Sequence, residues 1–302
     1  MGRIILDTDI GDDIDDAFAL MFVAKASKEN LVGVTTTHRN TGARGQIAMA
    51  LLAAAGHACP VVCGTPTSRT LPCQYIESEM ACYTPDMDAA AFIARQAQAY
   101  RDLTIVTIGP LTNIAACINR YPDQMFGCRF VMMCGMVGKA FPEGNIASDP
   151  EAAQTVFEFP ASKTMVSLDT TLTLVLQHAQ VSAILKAKSR ENALLSKMMR
   201  LFKRDYLAPI LNSWGEVVNG DAYETAIGMH DPITVAYALN PSLFKTRQTH
   251  IAVETAGRYS KGLTLEQVNP FRGNVPNGYN IDLVESFDKK GVEDFFLSVL
   301  KR

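Results

Sequence analysis

The first 63 residues alternate between short apolar runs and helical patterns, and this restricts the fold more than any other feature of the chain. Ile4-Ile5-Leu6 is a short apolar run, and Asp15 to Ser27 carries Phe18, Leu20, Met21, Phe22 and Ala24 in a helical pattern. Leu31 to Thr37 (LVGVTTT) reads as a strand, Thr41 to Ala55 as an Ala-rich helix that stops near Gly56, and Pro60 to Cys63 as a further short strand. Strand, helix, strand, helix, strand is the order of an α/β protein with an open, mostly parallel, Rossmann-like sheet. Ligands of such sheets bind beyond the carboxyl ends of the strands.

The carboxyl end of the first strand is where charge accumulates. Asp7, Asp9, Asp12, Asp13, Asp15 and Asp16 fall within ten residues, between the apolar run and the helix. Two like charges about 4 Å apart repel by roughly 4 kcal/mol at an effective dielectric near 20. A helix N-terminus offsets about 0.3–1 kcal/mol for each of Asp15 and Asp16, which does not neutralise six charges. A bound hard cation would, and carboxylate oxygens are the ligands that Ca²⁺ and Mg²⁺ select.

The rest of the chain continues the alternation. Residues 64–86, with Pro66, Pro72 and Pro85, read as a long surface excursion of the kind that is often functional. Asp88–Tyr100 reads as a helix, Leu103–Ile108 as a strand, Leu111–Arg120 as a helix and Arg129–Cys134 as a buried strand. Asp149-Pro150-Glu151 opens a helix, with Pro in the first turn. Thr164–Leu168 is a strand, and Val181–Leu211 reads as one helical stretch with a basic, solvated face. Asp231-Pro232 opens a helix to about Leu239. Strands are expected at Thr249–Glu254, Leu263–Val268 and Tyr279–Val284, with a last helix from about Gly291. Without repeats or a clean linker, residues 1–302 are predicted to form a single domain.

Composition excludes several classes of function. A net charge of −3 and a pI near 6.0 favour neither nucleic acid nor an anionic membrane as partner. No run of 18 apolar residues and no signal-peptide pattern occurs, so the expected location is cytoplasmic. The seven cysteines lack C-x-x-C spacing and read as reduced, mostly buried thiols.

Four segments carry a resemblance: DTDIGDDIDDA (7–17), IGPLTNIA (108–115), PEGNIASDPEAA (142–153) and MHDPITVA (229–236). Together, and in this order, they resemble the inosine–uridine-preferring nucleoside hydrolase family, and VETAGRYSKGLT (253–264) resembles its late strand pair. The resemblance implies the nucleoside hydrolase fold and Ca²⁺-dependent cleavage of the bond between ribose and a purine or pyrimidine base, as in base salvage. It implies a small-molecule ribonucleoside as substrate and a homodimer or homotetramer. Residue by residue, it implies Asp9, Asp16, Asp231 and the Thr112 carbonyl as metal ligands, and Asp15 as general base. It further implies His230 as leaving-group acid, and Glu143, Asn145 and Asn40 around the ribose. The interval from Asp9 to Asp15 is six residues where many members have four, so the loop holds two extra positions and an additional carboxylate, Asp13.

The residue types suit that chemistry. An oxocarbenium-like sugar is stabilised by carboxylates, a cation acidifies a water, a carboxylate takes the water's proton, and a histidine serves the departing base. Tyr75, Tyr83, Phe202, Tyr206, Trp214 and Tyr223 are the aromatic candidates for stacking on it. Two other readings of the acidic loop stand beside this one. A haloacid-dehalogenase-like phosphatase would use Asp7 as nucleophile with Mg²⁺, but leaves Leu111-Thr112-Asn113 and His230-Asp231-Pro232 without a role. A non-catalytic calcium-binding module is the other, although the spacing is not that of an EF-hand.

Overall fold

The computed structural model describes residues 2–76, 87–186, 188–213, 226–267 and 278–301. Among the described residues the twelve strands are β1 (Ile4–Thr8), β2 (Leu31–Thr36), β3 (Val61–Cys63), β4 (Thr104–Thr107), β5 (Arg129–Met133), β6 (Ser162–Val166), β7 (Val175–Leu176), β8 (Ile227–Gly228), β9 (Phe244–Thr249), β10 (Ile251–Val253), β11 (Thr264–Glu266) and β12 (Ile281–Phe287). Eight of them form one sheet in the order β3-β2-β1-β4-β5-β6-β12-β9. Every neighbouring pair is parallel except β12 with β9. The order reverses between β1 and β4, which places the ligand crevice of an open α/β sheet at their carboxyl ends.

Both faces of the sheet are covered, so its central strands are apolar on both sides. Ile4, Leu6, Val106 and Val131 pack into one core with Phe18, Phe22 and Phe296. Ile5, Ile105, Phe130 and Met132 turn to the other face and pack with Phe92, Ile114 and Phe157. The period of two along each strand produces this division. The helix Asp15–Ala26 is buried from Asp15 to Ala24 because it lies under the helices His230–Leu239 and Lys289–Leu300 as well as against the sheet. Phe22 meets Phe295 and Phe296 edge-on, at ring distances of 5.0 and 5.2 Å.

Two local expectations are revised. The stretch expected as one helix at 181–211 is broken into His178–Leu185, Arg190–Leu201, a π-helical turn Phe202–Leu207 and Ala208–Ser213. Ser189 interrupts it, because its hydroxyl accepts the Asn192 N–H as a new helix cap. The strand expected at 249–254 is two strands, since the chain leaves the main sheet at His250 and pairs β10 with β11. A short helix that the sequence reading did not include, Gly144–Ser148, lies between β5 and the helix Pro150–Glu158, where the Glu143 carboxylate caps the N–H groups of Asn145 and Ile146. Among the described residues no helix is long and apolar enough to cross a membrane. Six described cysteines carry free thiols, three of them buried.

Candidate active site

A cavity of about 450 Å³ opens at the carboxyl ends of β1, β4, β5 and β6. Asp9, Asp12, Asp13, Asp15, Asp16, Glu143, Asn145, His230 and Asp231 all line it. Asp9 follows β1, whose apolar run ends at Leu6. Asp15 and Asp16 open the helix Asp15–Ala26, and Asp231 sits in the first turn of His230–Leu239. Two helix N-termini therefore converge on one cluster of carboxylates.

The closest group is Asp15, Asp16 and Asp231, whose carboxylate oxygens lie within 4.8 Å of one another, all three buried. The Asp231 N–H donates to Asp15 Oδ2 at 3.4 Å, and the Thr8 hydroxyl donates to Asp16 Oδ1 at 2.5 Å. Burial, and then the neighbouring carboxylates, push all three well above the usual carboxylate range. Asp9 is also pushed up, by burial first, with the Arg44 guanidinium opposing the shift. A protein does not hold so many carboxylates together at low cost, and a hard cation with oxygen ligands fits this donor set.

Asp15, expected as a base, forms the compact triplet with Asp16 and Asp231. Asp9, expected as a ligand, lines the same cavity and is the first of the charged neighbours that raise the Asp16 carboxyl. Gly109 at the end of β4 lets Asp9 come close: a Cβ there would lie 2.8 Å from Asp9 Oδ1.

Glu143 is buried and accepts from the backbone N–H groups of Gly135, Asn145 and Ile146. Asn145 donates both amide hydrogens to carbonyls, to Ile108 at 3.2 Å and to Met133 at 3.0 Å. That orientation leaves its Oδ1 as the acceptor available to the cavity. His230 is half-buried, and the loss of solvent lowers its pKa; its Nδ1 lies 2.8 Å from the Thr171 hydroxyl.

One expected residue lies away from the cavity. Asn40 does not line the cavity: Oδ1 caps the helix Thr41–Ala54 at the Ala43 N–H, and Nδ2 donates to the Arg69 carbonyl. Its amide is therefore committed to holding a helix end. Thr112, expected to act through its carbonyl, donates with its side chain to Asp149 Oδ2 at 2.6 Å, while Asn113 beside it donates to Asp7 Oδ1 at 2.7 Å. Asp7 is fully buried beneath the site and also accepts from Thr35. It does not line the cavity, which removes the nucleophile on which a phosphatase reading depends.

A sequence model of the inosine-uridine preferring nucleoside hydrolases matches residues 4–294. The chain belongs to this family. The non-specific ribonucleoside hydrolase RihC of Escherichia coli (strain SMS-3-5 / SECEC) is 30% identical to it, over 98% of this chain and 97% of its own length. The pyrimidine-specific ribonucleoside hydrolase RihA of Salmonella schwarzengrund (strain CVM19633) is 29% identical, over 66% of this chain and 61% of its own. Among solved structures, the plant nucleoside hydrolase PpNRh1 superimposes with a TM-score of 0.79 at 25% identity, covering 99% of each chain. The purine-preferring ribonucleoside hydrolase from Gardnerella vaginalis also gives 0.79 at 25% identity, over 99% of this chain and 98% of its own.

In this nucleoside hydrolase the lengthened acidic loop is braced by residues that the motifs do not point to. Arg44, 1% exposed, donates to the carbonyls of Asp9, Ile10 and His38 and to Asp12 Oδ2. Gln74 donates from Nε2 to the carbonyls of Asp12 and Asp13, each at 2.8 Å. The Arg44 signal was present in the sequence, because Arg44 occupies the same helical stripe as Ile47, Ala48 and Leu51. The excursion that supplies Gln74 carries no comparable periodicity. Of the aromatic candidates, Tyr206 lines the cavity and stacks on Phe202 at 5.6 Å, whereas Tyr75 donates to Gln46. Tyr83, Trp214 and Tyr223 lie outside the described residues.

Proposed function

We propose that this chain hydrolyses the N-glycosidic bond of ribonucleosides, releasing ribose and a free base, with Ca²⁺ held at the carboxylate cluster. The observation that carries the reading is the convergence of Asp9, Asp15, Asp16 and Asp231 on one cavity with Asn145, Glu143 and His230. Family membership over residues 4–294 supports the reaction class. Ca²⁺ is preferred over Mg²⁺ on the donor set, because Mg²⁺ is usually bound through one or two carboxylates and keeps several waters.

The ligands in this proposal are Asp9, Asp16 and Asp231, with the Thr112 carbonyl closing the site from the start of the helix Thr112–Arg120. When bound, the ion supplies positive charge that acidifies a water and anchors ribose hydroxyls. Asp15, whose carboxylate is held by the Asp231 N–H, accepts the water's proton. Asn145 Oδ1 and the Glu143 carboxylate accept hydrogen bonds from ribose hydroxyls. Their geometry is fixed beforehand by the Ile108, Met133 and Gly135 backbone contacts, so little is spent on ordering them. As the C1′–N bond breaks, its electron pair moves onto the base, the sugar becomes oxocarbenium-like, and the carboxylate cluster stabilises the positive charge. His230 delivers a proton to the departing base, and Tyr206 offers a stacking face.

The similar proteins are named non-specific, pyrimidine-specific and purine-preferring, so their names do not converge on one base. A panel of inosine, adenosine, uridine and cytidine, assayed for free base with and without a chelator, tests the reading. Release of base from none of them would contradict it.

A further inference from the structure

We propose that Thr171 is the positioning residue of the leaving-group step: it holds Nδ1 of His230, so that Nε2 is the atom that carries the proton to the departing base. This rests on the nucleosidase reading above and adds to it a residue and an atom.

Thr171 ends the short helix Leu168–Thr171 that follows β6, and it is fully buried. Its backbone is fixed at both groups, the N–H donating to the Ser167 carbonyl and the carbonyl accepting from the Leu174 N–H. Its hydroxyl has one proton, which is donated to the Leu168 carbonyl at 3.2 Å. The remaining contact, 2.8 Å to His230 Nδ1, is then made by Nδ1–H donating to Oγ1. With Nδ1 so occupied, the exchangeable ring position is Nε2.

A second observation places that atom. Gly228, in β8, sits against the Nε2 end of the ring: a Cβ there would lie 2.5 Å from His230 Nε2 and 3.0 Å from Cδ2. The backbone at this position is not left-handed, so the only demand for glycine is the space taken by the imidazole. β8 is itself pinned, pairing with β7 just beyond Thr171. The ring is thus gripped at Nδ1 by a hydroxyl from one strand-end segment and seated at Nε2 on a bare Cα from another, while it lines the cavity. In the step itself the ring starts with both nitrogens protonated: the C1′–N electron pair passes to the base nitrogen, which takes the proton from Nε2, the ring is left neutral with Nδ1–H on Thr171, and it regains the Nε2 proton from solvent.

The test compares two substrates on the full-length protein: inosine, whose base leaves poorly without a proton, and p-nitrophenyl riboside, whose leaving group departs as a stabilised anion. The expected result is that Thr171→Val lowers kcat on inosine by about tenfold or more, inside the roughly 10²–10⁴-fold range of general acid catalysis. On p-nitrophenyl riboside it changes kcat by less than about threefold. Thr171→Ser is expected to restore the inosine rate, and Gly228→Ala, which displaces the ring from its other side, to reproduce the split. His230→Ala serves as the reference. If His230→Ala slows both substrates alike or neither, the leaving-group role of His230 fails. If His230→Ala shows the split but Thr171→Val and Gly228→Ala do not, the positioning role of Thr171 fails. Should both variants fail to fold, ¹⁵N ring shifts of the wild-type protein decide, with the His230 signals assigned by their loss in His230→Ala. Protonation at Nδ1 in the neutral ring supports the proposal, and protonation at Nε2 overturns it.

Discussion

The backbone N–H of Asp231 donates to the carboxylate of Asp15 at 3.4 Å, across 216 positions of sequence. This contact ties the N-terminus of the first helix to the N-terminus of the helix His230–Leu239. Both helices have their first turns at one cavity, and the Thr8 hydroxyl aims Asp16 into the same place. The cluster is therefore held by long-range packing of two buried helices, not by the acidic loop alone.

The cluster predicts a graded response to isosteric changes. Asp16→Asn and Asp231→Asn each remove a charge from the triplet. Each is expected to weaken Ca²⁺ binding by more than the roughly 10–100-fold typical of losing a residue that only orients a ligand. Isothermal titration calorimetry on chelator-treated protein measures this, and an affinity within about threefold of wild type would remove that residue from the ligand set.

Asp9 and Asp15 are separable by the same substitution. Asp15→Asn is expected to keep Ca²⁺ while kcat falls by about 10²–10⁴-fold, the usual worth of a general base. Asp9→Asn is expected to lose Ca²⁺ affinity first and to recover part of its activity at high Ca²⁺. The reverse pattern would exchange the two roles.

Much of this arrangement is legible in the sequence. Apolar runs alternating with helical patterns are enough to give the parallel sheet, and the aspartates after β1 are enough to mark its ligand end, because both signals are local. What is not legible comes from contacts between distant segments. The grouping of Asp15 with Asp231 depends on how two helices cross. The capture of Asn40 by its own helix end competes with any role at the sugar. Arg44 could have been noticed, as a charge on an apolar helical stripe, but its partners are backbone carbonyls, which leave no mark in the residue types. Gln74 comes from a loop whose path follows no periodicity at all.

Arg44 is the next test, because it is a buried cation whose loss leaves three carbonyls and Asp12 without their donor. Arg44→Met is expected to destabilise the protein by about 3–5 kcal/mol, as breaking a buried ion pair usually does. Urea denaturation measures it. A loss below about 1 kcal/mol would mean that water replaces the guanidinium without penalty.

Asp7 gives a pH prediction with a definite sign. Burial raises its carboxyl to about 7, against the hydrogen bonds from Asn113 and Thr35. A raised folded-state value contributes stability that is fully present below the ordinary carboxylate range and is lost as the pH rises through about 7. Each unit of the shift is worth about 1.4 kcal/mol. Asp7→Asn keeps the accepting Oδ1 and removes the charge, so it is expected to gain on wild type more at pH 8 than at pH 5. Its turnover is expected to stay within about tenfold of wild type, about 1.4 kcal/mol in the barrier. Thermal melts across pH 5–8 read the first expectation. A complete loss of activity would reopen the reading of Asp7 as a nucleophile.

Tyr206 is the aromatic that faces the cavity from the π-helical turn. Tyr206→Ala is expected to cost about 1–3 kcal/mol in kcat/KM, the scale of one base-stacking contact, and Tyr206→Phe to retain most of it. Equal losses in the two variants would assign the effect to the hydroxyl and not to the ring.

The most direct measurement is base release by the purified protein from a panel of ribonucleosides, in Ca²⁺ and in excess chelator. The account predicts that ribose and free base appear together from at least one ribonucleoside in Ca²⁺, that chelation abolishes the release, and that added Ca²⁺ restores it. Base release that persists undiminished in chelator, or none from any ribonucleoside with Ca²⁺ present, would contradict it.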